Sequence, residues 1–232
     1  MPHLLVGVEH LSLFNNMKIA SWNINSIRIR TKLVENFLNE LNPDILLLQE
    51  IKCLNEEFPD FFKSLGFNFH INGEKGRNGV AILIKKKINF DYLNFDGQIL
   101  TTQSRICGIY IKSINISIIN VYVPNGNPIE NIDKFKFKID WLTEFNNTMK
   151  EFMRERKNLV IGGDFNVIEN IFDAKKFSDW RNDALGNINV RKKFRELIST
   201  GLVNSARLFC KPGSEFSFWD YQRASWERND GI

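Results

Sequence analysis

The stretch Leu159-Val-Ile-Gly-Gly-Asp-Phe-Asn166 constrains this chain more than any other. Its apolar residues run into two glycines, and these run into an acid and an amide two positions apart. A short apolar run of this kind reads as a buried strand, and the glycines read as its tight exit. Asp164 and Asn166 therefore fall at a strand end, where open sheets present their chemistry. Many strands end in Gly-Asp. This one gains weight because three other apolar runs end in polar clusters in the same way. Residues 19–24 end in Asn23 and Asn25, and Ile45-Leu-Leu-Leu48 ends in Gln49-Glu50. Residues 116–123 carry Tyr122 at their end and break at Pro124-Asn125-Gly126.

Helical periodicity lies between these runs. Leu33, Phe37, Leu38 and Leu41 form one helical stripe, stopped by Pro43-Asp44. Phe58, Phe61, Phe62 and Leu65 predict a short helix with Gly66 as its C-cap. The longest predicted helix covers 131–156, on a stripe of Phe135, Ile139, Leu142, Phe145, Met149 and Phe152. Another covers 191–200 and is capped by Gly201. Further strands are predicted over 67–71, 80–84 and 106–111, the last forming a hairpin with 116–123 through 113–115. A basic, glycine-rich loop with Lys75 and Arg77 spans 73–79, and a polar loop spans 168–189. The chain finishes with a short aromatic strand over 215–220 and a polar tail over 226–232.

Strand, helix, strand, helix and several strands, then the same again, predict two similar halves. The fold class is α/β: two facing mixed β-sheets with helices outside, a four-layer α-β-β-α sandwich. The strand pattern begins at Lys18, so 17–232 read as one domain and 1–16 as an N-terminal extension, with Met17 a candidate start.

Composition narrows the class. A chain of 232 residues with 43% hydrophobic and 25% charged residues can bury a substantial core. A net charge of +4 permits a polyanionic partner without requiring one. Cys53, Cys107 and Cys210 include no close pair, so neither a disulfide framework nor a zinc site is expected; a reducing, cytoplasmic setting is. No apolar run approaches the roughly 18 residues of a membrane span. The first residues lack a basic n-region, and Glu9-His10 break their apolar stretch, so they do not read as a signal peptide. His3, His10 and His70 have no motif context.

No serine elbow or Cys-His pair accompanies the four strand ends. Their chemistry suits a hard cation acting on a phosphate. A carboxylate such as Glu50 binds Mg²⁺, which keeps most of its waters. Amides and a phenol hold a phosphate without adding negative charge. A second carboxylate, Asp164, can orient or deprotonate water.

Ser21-Trp-Asn-Ile-Asn25, Leu48-Gln-Glu50, Asn120-Val-Tyr-Val-Pro-Asn125 and Gly163-Asp-Phe-Asn166 together resemble the exonuclease III family of abasic-site endonucleases, within the endonuclease/exonuclease/phosphatase superfamily. The resemblance implies a Mg²⁺-dependent DNA repair nuclease, with Mn²⁺ as a substitute. It would cut phosphodiesters 5′ to abasic sites and remove nucleotides 3′→5′ from double-stranded DNA, as a monomer away from membranes. Glu50, Asn23 and Asn25 would surround the metal. Tyr122 and Asn125 would contact the scissile phosphate, Asp164 would position the water, and Asn166 would hold the water or the phosphate. Arg28, Lys52 and Arg77 would contact DNA. Phe218 and Trp219 match the wall of the pocket for a flipped-out abasic sugar, and they read equally well as core packing. The family continues past Ile232 with Arg-Ile-Asp and a later Ser-Asp-His motif. The resemblance therefore predicts absent last strands, an open sheet edge and impaired turnover. The alternatives are a small-molecule or lipid phosphoesterase of the same superfamily, and an inactive DNA-binding or misfolded relic.

Overall fold

The computed structural model describes residues 2–7, 17–156, 158–219 and 227–232. Its strands are β1 (Pro2–Gly7), β2 (Ile19–Asn23), β3 (Ile45–Gln49), β4 (Phe67–Asn72), β5 (Val80–Lys85), β6 (Asp91–Leu93), β7 (Ile106–Ile111), β8 (Ile116–Tyr122), β9 (Leu159–Asp164) and β10 (Leu202–Asn204). Its helices are α1 (Ile27–Leu41), α2 (Ile132–Glu155), α3 (Phe177–Trp180), α4 (Ile188–Ile198) and α5 (Ala206–Phe209).

One sheet has the order β10-β1-β9-β8-β7-β6 and the other β2-β3-β5-β4. In each, one parallel pair sits among antiparallel neighbours: β8 with β9, and β2 with β3. A parallel pair ends on one side, so Tyr122 falls opposite Asp164 and Asn23 opposite Gln49. The two sheets face each other, with β2 against β9 and β3 against β8.

The continuous apolar runs arise because both faces of these strands are covered. From β3, Ile45 and Leu47 point between the sheets, where they meet Ile109, Ile118 and Val160. Leu46 and Leu48 point outward onto Val34 and Leu38 of α1. On the other side, Trp141, Leu142, Phe145 and Met149 of α2 and Phe194 and Leu197 of α4 cover Ile119, Val121 and Ile161. Each such side chain contributes about 1.5–3 kcal/mol on burial. A polar bridge crosses the apolar interlayer next to the site. Gln49 Nε2 donates to Asn120 Oδ1 at 2.8 Å, and Asn120 Nδ2 donates to the carbonyls of Leu48 and Ala81 at 2.9 Å each. The four-layer α-β-β-α expectation is borne out.

Several elements differ from expectation. The stretch 1–16, set apart as an extension, supplies β1, which pairs with β9 and β10 inside the first sheet. In place of the helix expected over 58–65 there is a 3₁₀ turn at Asp60–Lys63 with Pro59 at its N-cap, preceded by another at Asn55–Glu57. The 191–200 helix starts earlier, at Ile188, with the Asn187 side chain accepting from Asn189 N–H. The described part of 215–220 forms no strand, although Ser217 and Phe218 pair with Ile232 through their backbones; Asp220 lies outside the described residues. The polar tail folds back far enough to bury Ile232. Among the described residues no helix is long and apolar enough to cross a membrane.

Candidate active site

The facing parallel pairs bring Asn23, Glu50, Tyr122 and Asp164 to one end of the sandwich. The centre is Asn23, whose Nδ2 donates to Glu50 Oε1 at 2.7 Å and to Asp164 Oδ2 at 2.9 Å. One amide therefore joins the two carboxylates, one from each sheet. Tight corners put them there. Asn25 and Asn166 have φ of 46° and Glu50 and Lys52 have φ of 53°, all in the left-handed region. Such conformations cost about 1–3 kcal/mol each and persist when surrounding contacts hold them. The holding bonds here run between corners: Ser26 N–H donates to the Glu50 carbonyl at 2.6 Å, and Lys52 N–H to that of Asn78 at 3.0 Å. Gly163 is required by close approach, because a Cβ there would lie 2.0 Å from the Val121 carbonyl oxygen, and its φ is +145°.

Asp164 is buried, and burial disfavours its charge. The Asn23 amide and the Asn166 N–H both donate to its carboxylate and favour the charged form. Burial first, and then the Glu50 and Asp164 carboxylates, push the Tyr122 phenol well above its ordinary value. Tyr122 thus remains a proton donor. Asn166 Nδ2 donates to the Val123 carbonyl at 2.8 Å, and Asn125 Nδ2 lies 3.5 Å from Asn166 Oδ1.

The structure gathers Asn23, Asn25, Glu50, Tyr122, Asn125, Asp164 and Asn166 around this centre. Lys52 joins them, its Nζ lying 2.8 Å from Glu50 Oε2 and 2.5 Å from Asn25 Oδ1. Arg28 and Arg77 do not join. Arg28 pairs with Glu57, and Arg77 pairs with Glu74 at a side chain 70% exposed. Phe218 is 40% exposed. Trp219 donates from Nε1 to Asn229 Oδ1 at 3.1 Å and packs edge-on to Phe216. With Phe172, Lys175, Phe177 and Arg181 it lines a cleft of about 690 Å³.

Two residues escaped the sequence reading. Arg105 lies over the Tyr122 ring at 4.6 Å and donates to the Tyr122 carbonyl at 3.1 Å. Its signal was a lone base opening an apolar strand. Lys138 is fully buried behind Asn125 and Asn166. Its signal was a lysine on the apolar stripe of the long helix, between Phe135 and Leu142.

Among the described residues no three His, Cys, Asp or Glu side chains gather as a metal cage. One or two carboxylates with an amide oxygen nearby suit Mg²⁺, which retains several waters; here Glu50 and Asn25 Oδ1 offer such donors, while Asn23 turns its Nδ2 to the carboxylates and its Oδ1 to the Asn25 N–H. The Lys52 ammonium between Glu50 and Asn25 shows that this pocket accepts positive charge.

The sandwich and its acid–amide centre define an enzyme of the nuclease and phosphatase class. The chain belongs to the endonuclease/exonuclease/phosphatase family, whose model matches residues 20–231. It is 27% identical to exodeoxyribonuclease III of Haemophilus influenzae over 226 residues, covering 93% of this chain and 85% of that protein. It is also 27% identical to a DNA-(apurinic or apyrimidinic site) endonuclease of Dictyostelium discoideum over 223 residues, covering 94% of this chain. The chain spans 60% of the length of that relative. Among solved structures, the 3′ phosphatase NExo from Neisseria bound to a product DNA hairpin superposes with a TM-score of 0.85 at 30% identity, covering 93% of this chain and 83% of that one. The resemblance read from the four motifs is borne out.

Proposed function

We propose that this chain is a DNA repair nuclease of the exonuclease III type, which hydrolyses phosphodiesters 5′ to abasic sites and removes nucleotides 3′→5′ from duplex DNA. The observation that carries the reading is the Asn23 amide joining Glu50 and Asp164 beside Tyr122, Asn125 and Asn166. The names of the Haemophilus and Dictyostelium relatives and the DNA product held by the Neisseria structure support it.

Glu50, Asn23 and Asn25 would hold Mg²⁺, or Mn²⁺ in its place, and the bound metal would supply neutralisation of charge on the phosphoryl oxygens. The chain's own residues do the rest. The Asp164 carboxylate orients a water toward phosphorus and accepts its proton as the water oxygen attacks. The protonated Tyr122 phenol and the Asn125 amide donate to the phosphoryl oxygens, where added negative charge would repel substrate. Asn166 fixes the water or the phosphate. As the water oxygen bonds to phosphorus, the P–O bond to the leaving ester oxygen breaks and that oxygen takes a proton from solvent. Arg28 and Arg77 contact backbone phosphates from the rim. Lys52 does so from inside, and its ammonium competes with the cation for Glu50 and Asn25. Phe218 and Trp219 face the extruded sugar, which costs little to flip because no base pair is lost. The enzyme acts as a monomer in the cytoplasm.

A substrate comparison tests this reading. Mg²⁺-dependent cleavage of a duplex with one abasic analogue, exceeding release of phosphate from inositol phosphates or phosphomonoesters, supports it. Equal activity on the small esters with none on abasic DNA transfers the chain to small-molecule phosphoesterases. Binding without cleavage makes it an inactive DNA binder.

A further inference from the structure

Helix α2 buries a lysine in its apolar face. Lys138 is 0% exposed and stands one turn before Trp141 and Leu142. Taking an ammonium out of water costs several kcal/mol unless its N–H groups find partners. The partners here are the Asn125 carbonyl at 2.9 Å and the Asn166 carbonyl at 2.6 Å from Nζ. These carbonyls lie on two different corners, one after β8 and one after β9. Both corners carry an amide assigned above to the phosphate or the water. The β8 corner reaches the lysine only because residue 126 is glycine: a Cβ on Gly126 would lie 2.6 Å from Lys138 Cδ, and its φ is +81°. Asn166, for its part, is held at a left-handed φ of 46°.

An apolar side chain would fill this place in the core without the desolvation cost. The lysine is therefore explained by what it ties together. We propose that Lys138 is a positioning residue that ties the main chains of Asn125 and Asn166 to one point, so that their amides stand pre-aimed at the substrate phosphate. The catalytic part of this assignment rests on the nuclease reading; the tie itself does not. Fixing both peptide planes removes the reorganisation that two free corner loops would undergo on the way to the transition state. Burial pushes the Lys138 ammonium down to about 7, against the pull of Asp164 and Asp183 and with the push of Arg105. The tie does not depend on that titration, because an ammonium has three N–H groups and a neutral amine two, enough for both carbonyls in either form.

The test uses the intact chain and its Lys138→Met variant, which keeps the side chain's length and removes every donor. Side-chain amide resonances of Asn125 and Asn166 are expected to shift in the variant while that of Asn23, at the same site but not tied to Lys138, stays. On abasic duplex, kcat is expected to fall roughly ten- to a hundredfold while KM changes by less than about twofold, because Lys138 does not touch DNA. Unmoved amide resonances, or an unchanged kcat, overturn the proposal. A merely structural lysine would lower the melting temperature without this split between kcat and KM. If the variant does not fold, the wild-type spectrum decides. A Lys138 Nζ–H signal protected from solvent exchange and correlated with the Asn125 and Asn166 carbonyl carbons supports the tie, and its absence sinks it. If the wild type cuts no abasic DNA yet the amides shift in the variant, the nuclease reading fails and the tie stands.

Discussion

At the scale of single residues, the site separates two carboxylates by environment. Asp164 is buried and accepts from the Asn23 amide and the Asn166 N–H, and it is the candidate base; Glu50 is more open and pairs with Lys52. Asp164→Asn should lower kcat by roughly 10²–10⁴-fold with duplex binding retained, measured by single-turnover nicking and by a separate DNA titration. Removing the Lys52 ammonium, which pairs with Glu50 and Asn25, in Lys52→Ala should lower the Mg²⁺ concentration needed for half-maximal cleavage and weaken DNA binding; a variant that needs more Mg²⁺ would contradict the proposed competition for these two side chains. Asn23, Glu50, Tyr122 and Asp164 were legible in the sequence because each ends an apolar run, and position at a strand end survives translation into three dimensions. Arg105 and Lys138 were not, because their roles depend on which corner each side chain meets after folding. A charged residue on an apolar stripe marks an exception without naming its partner.

At the scale of elements, the corners matter more than the strands they join. Gly163→Ala would drive a Cβ to 2.0 Å from the Val121 carbonyl oxygen, part β8 from β9 and cost about 2 kcal/mol or more, read from denaturant unfolding. Glu144 of α2 holds the loop before β7 by accepting the N–H groups of Gln98, Ile99 and Leu100 at 2.7 Å each. Burial opposes its ionisation, but these three bonds lower its carboxyl below the ordinary value. A depressed folded-state value means that the stabilisation is complete above the unfolded value of about 4.3 and is lost as pH falls through the folded value. Glu144→Gln should therefore cost about 1–3 kcal/mol near neutrality and flatten the acid limb of the stability profile. The long helix, the buried strands and the pair of facing sheets were legible because periodicity and burial agree there. The short 3₁₀ turns around Pro59, strand β6 and the boundaries of α4 were not, because capping and tertiary contacts decide them. Strand β1 was missed for a different reason: residues 2–7 carry no polar terminal motif, and only pairing with β9 and β10 identifies them as a strand.

At the scale of the molecule, two sheets pressed together around an apolar interlayer leave one end for chemistry, and the Gln49–Asn120 bridge ties the sheets next to that end. A net charge of +4 is small, so the proposed DNA affinity would come from local cations rather than from the whole surface. Binding to abasic duplex should weaken as salt rises, and replacing Arg28 or Arg77 by Ala should each reduce the salt slope by about one. The measurement that bears most directly on the central claim is nicking of a duplex containing one abasic analogue, with Mg²⁺ and with chelator, by this chain. Cleavage 5′ to the analogue that requires Mg²⁺ and disappears in Asp164→Asn is the predicted result. Intact duplex in the presence of Mg²⁺, with the chain folded by its thermal melt, would contradict the assignment of Glu50, Asn23 and Asp164 as a working nuclease centre.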